Sequence, residues 1–410
     1  MPPVTPHSAK IDSVPLHPDE ERLLIKTALM SPQQEVDEQG RENLVGLSRE
    51  ELLEKMTALK EKPFRVKQIW HWMYHQGVRD FSEMANISRP LQEKLSASFF
   101  IGRPEQKLAQ LSKDGTEKIL FGFDDKRTAE AVYIPDQKED RGAVCVSSQI
   151  GCTLACSFCH TGTQKLLRNL SSSEIVGQFM AMRDHYNEWP TPKDGTPRKL
   201  SNIVMMGMGE PLYNYQNVAK ALSIIMDGEG IALSRRRITL STSGIVPMIR
   251  RCGKEIGVNL AISLHAVTDE LRNKLVPINR KYPLKELLKA CEEYPSASNS
   301  RRLTFEYIML KGINDSPAEA RELARLLKNM PAKVNLIPFN PWPGSDYEPS
   351  TPKDIKNFAD ILSRANIAAP VRTPRGRDIL AACGQLKTLH EGKENQRPLF
   401  NRKSERQSND

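Results

Sequence analysis

The sequence predicts an α/β fold: a partial (βα)6 barrel of the TIM type with an N-terminal helical accessory domain. Three observations carry that expectation. From residue 143 onward, six short apolar runs each precede a stretch with helical character, the rhythm of parallel strands joined by right-handed crossovers. Polar and small residues recur just beyond those runs, where a barrel collects its ligand-binding groups. Residues 41–105 show helical spacing with clear start and stop signals.

Residues 1–40 are polar, proline-containing and aperiodic, and are expected to form a loose tail. Ser48 and Glu51 make a capping box ahead of Leu52, Leu53 and Met56. A second helix places Val66, Ile69, Trp70 and Met73 on one face and stops at Gly77, and a third covers Pro90–Ser96. The Trp and Met residues at this spacing read as core packing before ligand contact. Asp114-Gly115 separates Lys107–Leu111 from Lys118–Phe123, a hairpin signal, and Glu130–Ile134 adds a strand. Residues 106–140 thus connect the helical module to a barrel expected over 141–380.

The barrel strands are expected at Ala143–Ser148, Asn202–Met206, Arg237–Thr242, Val258–Leu264, Arg302–Met309 and Lys333–Ile337. Two of the intervening helices have marked starts, Ser171 with Glu174 and Ser316-Pro317 with Glu319. Residues 381–410 are expected to be a loop carrying Cys383 followed by a polar, basic tail, loosely held from Thr388.

Composition narrows the function classes. The 410 residues are 39% hydrophobic and 27% charged, as in globular proteins. No apolar run is long enough to span a membrane, and no signal peptide is legible, so the expected location is the cytoplasm. The net charge of +9 suits a polyanionic partner without requiring one. Seven cysteines, an odd number with three tightly clustered, argue against a secreted disulfide framework.

The cluster is Cys152-Thr-Leu-Ala-Cys156-Ser-Phe-Cys159. Structural zinc takes four ligands, usually in two separated pairs, and no second pair exists here. Three thiolates from one loop suit a 4Fe-4S cluster with one iron left open. The spacing, with an aromatic residue before the last Cys, resembles the radical S-adenosylmethionine (SAM) signature, in which the open iron holds the amino and carboxylate groups of SAM. A zinc site completed by His160 or another Cys is the competing reading.

At the strand ends stand Gly207-Met208-Gly209-Glu210, then Ser241, then Ser263-Leu264-His265, then Asn340. Taken singly these read as turn or capping residues. Together, on one rim, they make a polar collar around a nucleoside, and Gly209-Glu210 resembles the superfamily's motif for the SAM amino group.

The match becomes closer at Glu130-Ala-Val-Tyr-Ile-Pro135, Cys145-Val-Ser-Ser-Gln-Ile-Gly-Cys152, Gly207-Met-Gly-Glu-Pro-Leu212, Leu240-Ser-Thr-Ser-Gly244, Ala261-Ile-Ser-Leu-His265 and Ala381-Ala-Cys-Gly-Gln385. In this order they resemble the bacterial radical SAM family of dual-specificity adenine-C2 methyltransferases acting on 23S ribosomal RNA and transfer RNA, over residues 45–387. The resemblance implies a radical SAM barrel with a 4Fe-4S cluster on Cys152, Cys156 and Cys159. It implies SAM held by Gly209, Glu210, Ser241, Ser263, Leu264, His265 and Asn340. Cys383 is implied as the methyl-carrying nucleophile, Cys145 as the thiol that resolves the adduct through a disulfide, and Glu130 as proton acceptor. Implied partners are 23S rRNA, tRNA and a reductant such as flavodoxin, with the chain a monomer. Cys252 and Cys291 read as packing residues. Arg235, Arg236, Arg237, Arg372, Arg375 and Arg377 are expected near the rim, as a phosphate clamp around a flipped base. Two alternatives stay open: a C8-adenine rRNA methylase of the same superfamily, and a non-catalytic, zinc-stabilised RNA-binding protein.

Overall fold

The computed structural model describes residues 35–193, 196–295 and 302–387, together with Arg22 and Ser31. The expected tails before residue 35 and from Thr388 lie, those two residues aside, outside the described residues. Three helices make the accessory module: α1 (Arg49–Ala58), α2 (Phe64–His71) and α3 (Arg89–Ser98). Ser48 and Glu51 close the expected capping box on α1. Helix α2 runs on into a short π-helix that ends at Gly77 in the left-handed conformation, so the stop signal is used as read. Two short strands, β1 (Glu42–Asn43) and β2 (Phe99–Phe100), pair in parallel and tie the module's ends together.

Strands β3 (Glu105–Leu111), β4 (Glu117–Gly122) and β5 (Thr128–Pro135) follow, then β6 (Gly142–Cys145) and a small hairpin of β7 (Gln149–Ile150) and β8 (Arg168–Asn169). The remaining barrel elements are β9 (Leu200–Met205), β10 (Ile238–Thr242), β11 (Asn259–Ser263), β12 (Leu303–Met309) and β13 (Ala332–Pro338). One sheet contains nine strands in the order β13-β12-β11-β10-β9-β6-β5-β4-β3. The six strands from β6 to β13 are mutually parallel, as the βα rhythm predicts. Strands β3 to β5 are antiparallel and extend the same sheet, so the connector expected over 106–140 is built into it.

The crossovers place α4 (Ser172–His185), α5 (Tyr215–Met226), α6 (Val246–Glu255), α7 (Asp269–Leu275), α8 (Leu284–Glu292), α9 (Pro317–Leu327) and α10 (Pro352–Arg364) around the sheet. Both marked starts are real: Ser171 with Glu174, and Ser316 with Glu319, form reciprocal capping boxes. One continuous apolar core runs from Leu52, Trp70 and Leu95 of the module through Ile203, Leu240 and Phe305 of the barrel strands. The half-buried Arg103–Asp184 ion pair, 2.9 Å, bridges module and barrel. Because the six parallel strands point the same way, their C-terminal ends share one rim, and that rim carries the cavity.

Candidate active site

One cavity opens at the rim, and the sequence-predicted residues converge on it. Cys152, Cys156 and Cys159 line it, with Gly209, Glu210, Ser241, Ser263, His265 and Cys383. Strands β9 to β13 deliver their contributions through the pleat. Ser263 pairs with Glu306, and Glu306 with Asn335, so these three side chains form one row across β11, β12 and β13. Asn335 Nδ2 donates to Glu306 Oε1 at 2.8 Å. Glu306 lines the cavity beside Arg372.

Desolvation pushes the thiols of Cys152, Cys156 and Cys159 above their ordinary value, Cys156 to about 12. Neighbouring thiols push Cys152 and Cys156 further in the same direction. Such a trio becomes thiolate only where a metal displaces the protons, which is the donor chemistry of an iron–sulfur cluster. Among the described residues, no group of three or more His, Cys, Asp or Glu is arranged to hold a single metal ion. His160 faces away from the cavity: its ring stacks on Trp342 at 4.6 Å, and its Nδ1 lies 3.2 Å from the Gln385 carbonyl.

Beside the thiols, Gly209 has φ +100°, and a Cβ there would lie 2.5 Å from Gln149 Cβ. That close approach fixes the next residue. Glu210 donates its own N–H to Gln149 Oε1 at 3.0 Å, and its carboxylate accepts from Leu212 N–H at 3.1 Å and Ser243 N–H at 2.8 Å. Desolvation lifts the Glu210 carboxyl to about 7 against those donors. A buried carboxylate at this place suits an ammonium group. The donor set therefore fits both the cluster and SAM.

Four predicted residues stand behind the cavity wall or in the loop across it. Leu264 is buried in the core, its N–H bonded to the Glu306 carbonyl at 3.1 Å. Asn340 Nδ2 donates to the Cys383 carbonyl at 3.3 Å and its Oδ1 accepts from Arg377 Nε at 2.9 Å, so it holds the Cys383 loop. Cys145 ends β6, buried, and its thiol is pushed up by burial first and by the nearby Cys383 second. Both are free thiols. Glu130 is buried, 3.1 Å from Lys118 Nζ, and accepts the Lys387 N–H at 2.9 Å. Burial raises its carboxyl despite Lys118.

The Cys383 loop is tied on three sides. Gly384 O accepts from His160 N–H at 2.7 Å on the cysteine-cluster loop, and Gln385 Nε2 donates to Pro341 O at 2.7 Å beyond β13. On the β3–β4 hairpin, Asp378 Oδ1 accepts from Ser112 Oγ at 2.5 Å and Asp114 Oδ2 from Gly376 N–H at 3.0 Å. Cys383 itself is exposed. Desolvation against the wall raises its thiol while the Arg372 guanidinium opposes that shift and Glu306 adds to it.

The arginine expectation divides. Arg372 lines the cavity and Arg377 reaches Asn340. Arg235, Arg236 and Arg237 do not belong there: they precede β10, at the N-terminal end of the parallel strands and opposite the rim. Adjacency to a strand did not say which end. Glu306 carried no sequence signal of its own, because strand register and not spacing brings it to the site, and Ser243 stood inside the Leu240–Gly244 motif without a role assigned to it. Cys252 and Cys291 are buried in α6 and α8, the packing positions expected.

Comparison with known proteins now bears on this geometry. Residues 42–101 match the family model described as the ribosomal RNA large subunit methyltransferase N-terminal domain, and residues 146–324 that of the radical SAM superfamily. A protein of Gluconobacter oxydans named dual-specificity RNA methyltransferase RlmN is 66% identical over 373 residues, 91% of this chain and 92% of that one. The chain belongs to the dual-specificity RNA methyltransferase family. A second member of that family, from Acidiphilium cryptum, is 66% identical over 90% of this chain and 94% of its own length. The crystal structure of a radical SAM methyltransferase from Sphaerobacter thermophilus matches with a TM-score of 0.77 at 42% identity, covering 84% of this chain and 98% of that one. A dual-specificity RNA methyltransferase works with a 4Fe-4S cluster and SAM, and the zinc-stabilised, non-catalytic alternative falls with that membership. No helix among the described residues is long and apolar enough to cross a membrane.

Proposed function

We propose that this enzyme methylates C2 of adenine in 23S rRNA and in tRNA, carrying the methyl group on Cys383. The observation that supports this most is the placing of Cys383 on the wall that the three cluster thiols and Glu210 also line, with Cys145 close behind. Adenine C2 is electron-poor and flanked by ring nitrogens, so it cannot attack a sulfonium methyl group as a nucleophile. A thiolate can. Cys383, whose thiol burial raises and Arg372 only partly pulls back, loses its proton and takes a methyl group from one SAM by displacement.

The bound cluster and a second SAM supply the radical that activates the Cys383 methyl group for addition to C2. Cys152, Cys156 and Cys159 hold the cluster. Glu210 receives the SAM ammonium group, and Ser241, Ser263 and His265 line the nucleoside part of the cavity. Leu264 supports that wall from behind and Asn340 fixes the Cys383 loop. Addition leaves an unpaired electron on the ring, which the oxidised cluster would accept, while Glu130, whose carboxyl burial raises, takes the C2 proton once the Lys387 N–H lets its carboxylate go. Cys145 then attacks the Cys383 sulfur. The sulfur–carbon bond breaks with its electron pair left on the carbon, which takes back the proton held by Glu130 to become the methyl group, a Cys145–Cys383 disulfide forms, and the methylated base leaves. The reductant is expected to be a flavodoxin-type donor, the chain to act as a monomer, and its location to be cytoplasmic.

Paired variants test this reading. Cys145→Ala is expected to accumulate a covalent RNA–protein adduct on denaturing gels, and Cys383→Ala to form none. Equal adduct from both variants contradicts the assigned roles.

A further inference from the structure

Arg272, on α7, is completely buried, with 0% of its surface exposed. Its donors are spent on neutral acceptors: Nε on Leu264 O at 3.0 Å, Nη1 on Asn279 Oδ1 at 2.8 Å, and Nη2 on Ser243 O at 2.6 Å and Ser263 O at 3.1 Å. Asp269, the acidic side chain that bears on it, bonds instead to Asn279 and to the Leu284 N–H. Burial pulls the guanidinium down only to about 10, so it stays charged at neutral pH. A buried cation without an ion-pair partner among the described residues is costly unless something else balances it.

The surroundings say where the balance lies. Cys156 is the group that favours the charged form of Arg272 most. The loop holding Cys156 is bonded to the end of α7, Ser157 N–H to Leu275 O at 3.1 Å. Ser243 couples the two: its carbonyl accepts from Arg272, its hydroxyl stands near enough to Cys156 to favour the thiolate, and its N–H is held by Glu210. The missing negative charge therefore belongs beside Cys156, and a thiolate-bound iron–sulfur cluster supplies net negative charge there.

We propose that Arg272 is the counter-cation of the cluster, a positioning residue whose charge favours the reduced state while its bonds fix the ends of β10 and β11. This rests on the assignment of Cys152, Cys156 and Cys159 as cluster ligands. Reduction moves one electron from the reductant onto the cluster with no bond made and no proton moved. The cluster becomes one unit more negative, and a nearby fixed cation in a low-dielectric wall stabilises that product over the oxidised form.

The test is a reductive titration of the full-length protein, anaerobically reconstituted and free of SAM and RNA, followed by electron paramagnetic resonance. Arg272→Gln is expected to lower the reduced-to-oxidised ratio at the wild-type midpoint by tenfold or more, a shift of about 59 mV for a one-electron couple. Arg272→Lys, which keeps charge and loses most of the bonds, is expected to stay within threefold of wild type. An unmoved potential in Arg272→Gln, or Arg272→Lys displaced as far as Arg272→Gln, overturns the inference. If Arg272→Gln holds no cluster, Arg272→Lys decides alone: a wild-type potential supports the proposal and a tenfold displacement overturns it. Iron and sulfide counts on Cys156→Ala keep the underlying reading separate. A full cluster retained there overturns the ligand assignment and this inference with it, whereas loss there with an unmoved Arg272→Gln potential overturns this inference alone.

Discussion

Glu210 shows how much one residue's surroundings decide. Its carboxyl stands at about 7 in the folded protein against an ordinary 4.5, because desolvation outweighs the N–H groups of Ser243 and Leu212. The folded protein therefore keeps a proton that the unfolded chain has released. That contribution to stability is complete below about 4.5 and is lost as pH rises through about 7. The ligand-free protein should melt at a higher temperature near pH 5.5 than near pH 8, and Glu210→Gln should flatten that component of the difference. An ammonium ligand needs the ionised form, so SAM affinity should rise over the same pH range. Losing this charge-assisted contact should weaken SAM binding roughly ten- to hundredfold. Titration calorimetry showing pH-independent affinity would contradict the role. Glu210 was legible in sequence because a GxGE string at a strand end is a recognisable turn. Glu306 and Arg272 were not, since nothing in their local spacing says that register and a crossover helix will bring them beneath the same cavity.

The elements follow local rules closely. The capping boxes at Ser48, Ser171 and Ser316 and the left-handed stop at Gly77 fix four helix ends from short motifs. The Asp114-Gly115 turn does more than join two strands. Burial tends to raise the Asp114 carboxyl, yet the Gly376 N–H and the Thr116 donors bring it down to about 2, so the turn grips the Cys383 loop with an ionised acceptor. Asp114→Ala should remove about 1–3 kcal/mol of anchoring. Methylation of Cys383, followed by intact-protein mass, should slow about tenfold while iron content stays constant, and an unchanged rate would show that the latch is dispensable. The arginines before β10 mark the limit of reading elements from sequence. Their charge and their nearness to a strand were visible, but strand polarity relative to the rim is a property of the assembled sheet.

At the scale of the whole molecule, the net charge of +9 is expected to act on RNA through cations of the segment that leads to Cys383. Neutralising Arg375 and Arg377 should weaken RNA binding across sequences and lower the slope of log affinity against log salt by roughly 2. An unchanged salt slope would place the phosphate contacts elsewhere. The continuous core linking module and barrel keeps the nine-stranded sheet, the accessory helices and the Cys383 loop in one frame, so the two thiols proposed to handle the methyl group lie near one another at the strand ends. The central claim is that this frame delivers a methyl group from Cys383 to C2 of adenine. Mass spectrometry of nucleosides from 23S rRNA and tRNA after reaction, against 2- and 8-methyladenosine standards, measures it directly. The account predicts 2-methyladenosine in both RNAs, and 8-methyladenosine in its place, or no methylated adenosine from Cys383-intact enzyme, would contradict it.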